Sequence, residues 1–382
     1  MISNMDTIQD SQPLQELASA WGFQPKLVVC DQCGWGFLAQ ENILTSSCPH
    51  CFKTALSILE NPQEALDQGL PFNQVPELVL PFTLTQEKLA ANIQSFSQGI
   101  PYPPVDLQAD SLAKRLQRIF IPVWLVDASV CAGWQGEAGF NYEVVSHQEK
   151  FSQNQGGWKS QAVTETRVRW EPRKGRLDRV YHNNPVTALE GEDRLKKILE
   201  KYRLDDAQAY TPESALQTFV RVPDRNPEDA WRELLPGLQT AAAEDCRRAA
   251  AADHLRDFRW QPDFYARDWT LMLLPLYATY YLDDENQPQA VYLDGQTGIA
   301  SGERRASPKR ARRTGLFILA AAGLILLISL LLALAGLLVT PLLAISGVGL
   351  IIALLVGIAA IIPTAIAWQF NRSRAIPSYA GR

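Results

Sequence analysis

The sequence predicts a multi-domain chain. It comprises an N-terminal zinc ribbon of small β type, a central α+β domain with a mostly antiparallel sheet, and a C-terminal all-α transmembrane hairpin. Three observations predict this. Two CxxC pairs close the stretch "CDQCGWGFLAQENILTSSCPHC" at 30–51. Helix-like and strand-like patterns follow one another without βαβ regularity from 78 to 303. From Thr314 to Gln369 no residue carries a charge.

The bulk composition agrees. A chain of 382 residues, 47% apolar and 20% charged, has room for two or three domains and a sizeable core. Its net charge of −5 is unevenly spread. Nine basic and no acidic residues lie from Arg304 onward, leaving 27 basic against 41 acidic groups before it, a net of −14. A body this acidic is repelled by a phosphate backbone, so nucleic acid is not an expected partner. The first 22 residues have neither a basic start nor an apolar run, which excludes a secretory signal there. The six cysteines then belong to a reducing compartment, where CxxC pairs bind metal instead of closing disulfides.

Residues 1–24 form a polar lead-in with one amphipathic stretch around Leu14, Leu17 and Trp21. The ribbon covers 25–58. Tetrahedral Zn²⁺ needs four soft ligands, and Cys30, Cys33, Cys48 and Cys51 supply four thiolates from two tight turns. The fourteen residues between the pairs allow a hairpin crossing. One structural zinc is expected, and a rubredoxin-like iron site has the same ligands. Gly34 provides a left-handed residue behind the first pair, and Pro49 stiffens the second. His50 reads as an exposed loop residue outside the ligand set. Trp35, Phe37 and Phe52 read as the unit's own small core rather than a platform for bases. The nearby charges, Lys26, Asp31, Glu41 and Lys53, make no basic face.

A linker at 59–77 is punctuated by Pro62, Pro71 and Pro76. The α+β domain spans 78–303. Helices are expected at 85–96 and 110–120, capped by Thr85 and Asp110, and strands at 119–134 and through the alternating stretches that follow. A helical face unites Leu195, Ile198, Leu199 and Tyr202. A longer helix at 227–257 begins with Asn226 as cap and Pro227 at its first position, and breaks at Pro236-Gly237. Strands return at 269–282 and 289–302 around the turn "DDENQP". Pro122 and Pro275 sit in similar aliphatic settings, an internal echo or a coincidence, and suit edges or bulges.

Catalytic patterns are missing from the sequence. The histidines His50, His147, His182 and His254 stand in no base or metal motif, and GxSxG, HExxH and Walker loops are absent. "DGQTGIASG" at 294–302 lacks the lysine and helix of a phosphate loop and reads as a hairpin turn before a last strand. Cys131 and Cys246 read as inert fillers. The pairs Asp205-Asp206 and Asp283-Asp284 read as solvated turn residues. No enzyme is expected.

A basic juxtamembrane segment at 304–314 leads into the hairpin at 315–368. As one helix, the uncharged run would measure roughly 80 Å against about 30 Å of hydrocarbon, so it turns back. Thr340-Pro341 supplies the break, giving spans near 315–338 and 342–367. Basic residues flank both spans and none lies between, which keeps the N-terminal domains and the tail at 369–382 cytoplasmic in a multi-pass cell-membrane protein. Arg304, Arg305, Lys309, Arg310, Arg312 and Arg313 are placed to meet anionic lipid. Trp368 suits the interface, and Gly349, Ala353 and Gly357 offer a small-residue face to another helix.

The ribbon, "LVLPFTLTQEKLAANI", "RIFIPVWLVDASV", "LLPLYATYYLDDENQPQAVYLDGQTGIASGE" and the two spans together resemble a group of uncharacterised bacterial zinc-ribbon membrane proteins. These often carry labels borrowed from the primosomal helicase (primosomal protein N'-like) or from general transcription factor ribbons. Asp294 stands where that group has Asn in its "NGQTG"-like turn, and the helicase's nucleotide-binding motifs are missing. The resemblance implies a bacterial source and a membrane-tethered cytoplasmic body, with no catalytic residues. The expected role is an adaptor or scaffold for an unidentified protein partner. A membrane-linked regulator whose ribbon binds nucleic acid is the alternative, and an enzyme on a membrane-proximal substrate ranks third.

Overall fold

The computed structural model describes residues 21–22, 24–44, 47–59, 75–152, 157–191, 201–336 and 341–374. It divides into two compact units. The first comprises Met1–Ile121, Gly191–Val222 and Leu273–Arg382, and the second Pro122–Glu190 and Pro223–Met272. Most of the expected helical face at 192–202 and the expected stretch around Leu14 and Leu17 lie outside the described residues.

In the first unit the ribbon hairpin, β1 (Lys26–Val29) and β2 (Gly36–Ala39), is antiparallel, and β3 (Ser57–Ile58) pairs with β1. The short strand β4 (Leu78–Val79) pairs with β7 (Gln208–Ala209). β2 continues onto β8 (Phe219–Arg221), which runs parallel to the start of β5 (Gln117–Ser152) through Ile119↔Phe219 and Phe120↔Val220. The end of β9 (His254–Leu282) pairs with β10 (Pro288–Asp294), and β10 with β11 (Ala300–Gly302). The sheet is therefore mixed: of the pairs with a described register, β5–β8 is parallel and the others are antiparallel. The expected boundary between ribbon and central domain is not a packing boundary. Leu27, Val29 and Leu38 of the ribbon share one buried cluster with Phe120, Val220, Val222 and Leu273. Trp21 joins the same cluster, and Tyr210 stands edge-on to it at 5.5 Å.

Helix α1 (Gln86–Ser97) is capped by the Thr85 side chain, as expected, and buries Leu89, Ile93 and Phe96. Helix α2 (Ala109–Lys114) is shorter than expected, because the β-branched and aromatic run from Gln117 onward joins β5. The "DGQTG" stretch is the hairpin turn expected. Asp294 is fully buried and accepts from the N–H groups of Gln296 and Thr297 and from the Thr297 hydroxyl. Gly298 has φ +73°, which favours glycine.

The second unit is a three-stranded antiparallel arm carrying one helix. β5 runs for 36 residues and pairs along 123–152 with β6 (Gly157–Thr187), which has 31. At about 3.3 Å per residue β5 is roughly 120 Å long. β9 flanks β5 on its other side from His254 onward. The sequence predicts a strand at 119–134 with further alternating stretches after it, and a helix reaching 257 before a strand at 269–282. In the structure β5 is continuous from Gln117 to Ser152, with a register shift at Val126/Ala128, and β9 already begins at His254, with positive φ at Asp257 and Ala266.

Helix α3 (Pro227–Ala249) packs on this sheet, its Trp231 and Leu238 meeting Trp124 and Val126. It begins as expected, with the Asn226 side chain accepting from the Asp229 N–H. The expected break at Pro236 does not occur. Pro236 and Arg232 are both exposed, which suits a turn whose Arg232 carbonyl loses its helical donor. The helix instead stops at Ala249, where Ala251 turns left-handed into β9. Asp245 fastens helix to strand, accepting from Tyr181 and Arg179 at 2.7 Å each.

Pro122 and Pro275, expected at edges or bulges, stand at changes of strand partner. Pro122 falls between the β8-paired and β6-paired stretches of β5, and Pro275 just before β9 takes up β10 at Leu276. A residue without an N–H fits where a strand exchanges partners.

Two helices are long and apolar enough to cross a membrane. The first is α4 (Pro308–Gly336). The second begins at Pro341, as expected, but is broken: α5 (Pro341–Ala359) and α6 (Ile362–Arg374) meet at Ala360-Ile361, with Pro363 in the first turn of α6. α4 and α5 pack through small residues. A methyl group on Gly315 would lie 2.6 Å from the Ala360 carbonyl oxygen, and one on Gly349 would strike Ser329. Gly349 and Ala353 thus serve the hairpin itself, whereas Gly357 has open space around it.

Candidate metal centre

Each knuckle is a tight turn closed by its own backbone. In the first, the Gly34 N–H donates to the Cys30 carbonyl at 2.8 Å and the Cys30 N–H to the Trp35 carbonyl at 2.9 Å. In the second, Phe52 N–H donates to Cys48 carbonyl at 2.9 Å and Cys48 N–H to Thr54 carbonyl at 2.8 Å. The residue after each second cysteine is left-handed: Gly34 at φ +72° and Phe52 at φ +57°. The sequence reading found the first and missed the second, whose only signal is its place in the knuckle repeat. A phenylalanine tolerates that strained backbone because its ring stacks 4.8 Å from Tyr280.

The turns bring all four sulfurs within 4.8 Å of one another. Cys30 and Cys51 are 3.5 Å apart, Cys33 and Cys48 3.7 Å. A tetrahedral cation with metal–sulfur bonds of about 2.3 Å needs sulfurs about 3.8 Å apart, so the cluster fits a four-coordinate metal ion. Cys30 and Cys48 are buried and the other two half-buried, and four thiolates would fill a four-coordinate site. The His50 N–H and the Thr54 hydroxyl lie 3.4 and 3.3 Å from sulfurs of Cys48 and Cys30. Among the bare thiols the hydrogen bond between Cys33 and Cys48 dominates. It lowers Cys48 to about 5 and, together with burial, pushes Cys33 up. A bound cation would displace that shared proton.

The surroundings correct two expectations. His50 is not an exposed loop residue. It is half-buried and stacked 3.7 Å from Trp35, whose ring also lies 4.7 Å from the buried Arg221 guanidinium. Trp35, Phe37 and Phe52 do not form a private core. Phe37 meets Phe219 edge-on at 5.9 Å, and Phe52 lies on Tyr280. Backbone anchors reinforce this: the Gln117 amide donates to the Ser47 carbonyl and the Tyr292 hydroxyl to the His50 carbonyl. A unit with so little interior of its own uses these rings to join the larger sheet.

The remaining sequence candidates are dispersed. Asp283 and Asp284 are not solvated. Asp283 accepts from the Glu285 and Gln287 N–H groups and from the Gln289 amide. Asp284 accepts from the Ser307 hydroxyl and the Lys309 N–H, capping α4 from another loop. His182 pairs with Asp127 at 2.9 Å and His254 with Asn141 at 2.9 Å, each exposed. Cys131 is half-buried and Cys246 buried, in the second unit. Of the six juxtamembrane cations, Arg304, Lys309 and Arg310 donate to the carbonyls of Gln98, Asp284 and Pro103, and Arg305 pairs with Glu303. Arg312 and Arg313 are exposed, Arg313 over the Phe317 ring. Compared with family models, curated proteins and solved structures, the chain gives no match.

Proposed function

We propose that this protein is a membrane-anchored zinc-ribbon adaptor whose cytoplasmic body holds a protein partner. The anchor rests on the two apolar helices and their basic flanks, and the zinc on the closed four-thiolate site. The adaptor role is carried by one observation. β9 begins level with Asn141, where Asp253 and His254 bond to it, so beyond that point β5 and β6 pair only with each other among the described residues. Tyr142 and Val145 on this two-stranded extension are exposed. An isolated two-stranded ribbon is marginal in water, and one that presents apolar side chains is suited to being covered. The sequence-level rival, nucleic acid, finds little support here, since Arg167, Arg169 and Arg179 of β6 pair with Glu165, Glu171 and Asp245.

A benzophenone amino acid placed at Tyr142 or Val145 tests the reading in intact cells. Irradiation should give a discrete protein adduct at both sites and none at exposed Val180. Equal labelling at all three sites, or at none, would reject the ribbon as the partner site.

A further inference from the structure

Segment 100–107 is tied to the first turn of α4. Ile100, Leu107, Ala306 and Ala311 share a buried cluster. The Ser307 N–H donates to the Tyr102 carbonyl at 2.7 Å, and the Arg310 guanidinium to the Pro103 carbonyl at 2.7 Å. From behind, Asp106 takes a bidentate pair from Arg115 and the Leu282 N–H. Pro101, Pro103 and Pro104 stiffen the loop so held. Its tip, Val105, is 70% exposed, more than any other large apolar side chain described, the apolar helices included.

We propose that this loop is an interfacial anchor, with Val105 resting in the headgroup layer of the bilayer that α4 and α5 cross. The inference depends on the membrane reading above. Arg310, which holds the loop, is four residues before the uncharged run begins, about 6 Å along a helix axis. The headgroup layer is roughly 5–8 Å deep on each side of the hydrocarbon. Charge points the same way. The acids hydrogen-bonded at this surface are occupied, Asp106 by Arg115 and Asp284 by the start of α4, while Arg312 and Arg313 are exposed further along α4. An apolar tip with neighbouring cations and neutralised acids complements an anionic leaflet.

The test uses the full chain in phosphatidylcholine–phosphatidylglycerol nanodiscs, with the knuckle cysteines blocked by bound Zn²⁺ and with Cys131→Ser and Cys246→Ala. An environment-sensitive fluorophore is attached through Val105→Cys, Leu330→Cys or Val180→Cys, and quenched by lipids spin-labelled at shallow or deep positions. The label at 105 should be blue-shifted and lose most of its emission to the shallow quencher. The label at 330 should lose its emission to the deep one, and the label at 180 should keep it. Quenching at 330 with none at 105 overturns the loop's role and leaves the membrane reading standing. No quenching at 330 overturns both.

Discussion

Loss of the metal should unfasten much more than the ribbon. Cys48→Ser removes a buried ligand from a site whose sulfurs lie within 4.8 Å of one another. Structural zinc contributes about 10–16 kcal/mol in small peptides, comparable to the entire stability of a domain. In a free-standing ribbon that loss would stay local. Here Leu27, Val29 and Leu38 are buried against Phe120, Val220, Val222 and Leu273, and Phe37 against Phe219. Burial of one such side chain contributes about 1.5–3 kcal/mol, so withdrawing four removes roughly 6–12 kcal/mol from the first unit's sheet. Hydrogen exchange with mass-spectrometric readout, on the metal-loaded and variant full chains in nanodiscs, should show lost protection at Ile119–Ile121, Phe219–Val222 and Leu273 as well as at 26–58. Helix α3 in the second unit should keep its protection. Metal analysis should fall from one equivalent to none. A rise confined to 26–58 would refute the argument that the ribbon is part of the sheet.

Three further outcomes are expected. Gly315→Ala, which drives a methyl group to 2.6 Å from a backbone carbonyl, should lower hairpin stability by about 1–3 kcal/mol in detergent unfolding, while Gly323→Ala, with open space, should not. Burial alone would raise Asp106, but Arg115 and the Leu282 N–H outweigh it and hold its pKa below the ordinary value. Its stabilising effect is therefore present above the unfolded value of about 3.9 and is lost as pH falls through the folded one. Thermal melts of wild type should drop below about pH 5, and Asp106→Asn should flatten that drop. Single cysteines at the exposed positions Arg312 and Arg372, in a chain otherwise lacking free thiols, should resist a membrane-impermeant reagent until cells are opened. Labelling in intact cells would reverse the topology.

The four-cysteine cluster and the apolar helices were legible because their signals are local. A CxxC knuckle is complete within a few residues, and an uncharged run needs no partner to be recognised. The destinations of the ribbon's aromatic rings were not legible. Phe37 and Phe52 meet Phe219 and Tyr280, residues from distant strands that no local pattern connects to them. The long strands were hidden for a different reason. Strand β9 begins at His254, inside the alanine-rich stretch that reads as helix as far as 257, and its positive φ at Asp257 and Ala266 breaks the alternation before the recognisable run at 269. Pro236 misled because a proline in an exposed helical turn leaves only a carbonyl that water can satisfy.

The hairpin and the body that carries it are one packing problem. Ala311 of α4 and Ala367 of α6 are buried in the cluster that contains Leu89, Ile93, Leu112 and Tyr281. Asn371 bonds both ways with Ala306, its carbonyl accepting from the Ala306 N–H at 2.8 Å and its amide donating to the Ala306 carbonyl at 3.0 Å. The chain thus returns to the residue from which it departs. Between α5 and α6 the chain passes through a turn at Ala360-Ile361. Gly315 lets the Ala360 carbonyl approach α4 at that bend. Cutting the chain at 303 to obtain a soluble body would strip Ala306, Ala311, Ala367 and Phe370 from this cluster and leave Asp284 without the helix it caps. The helical hairpin is a structural member of the first unit, so experiments on its binding functions belong on the full chain.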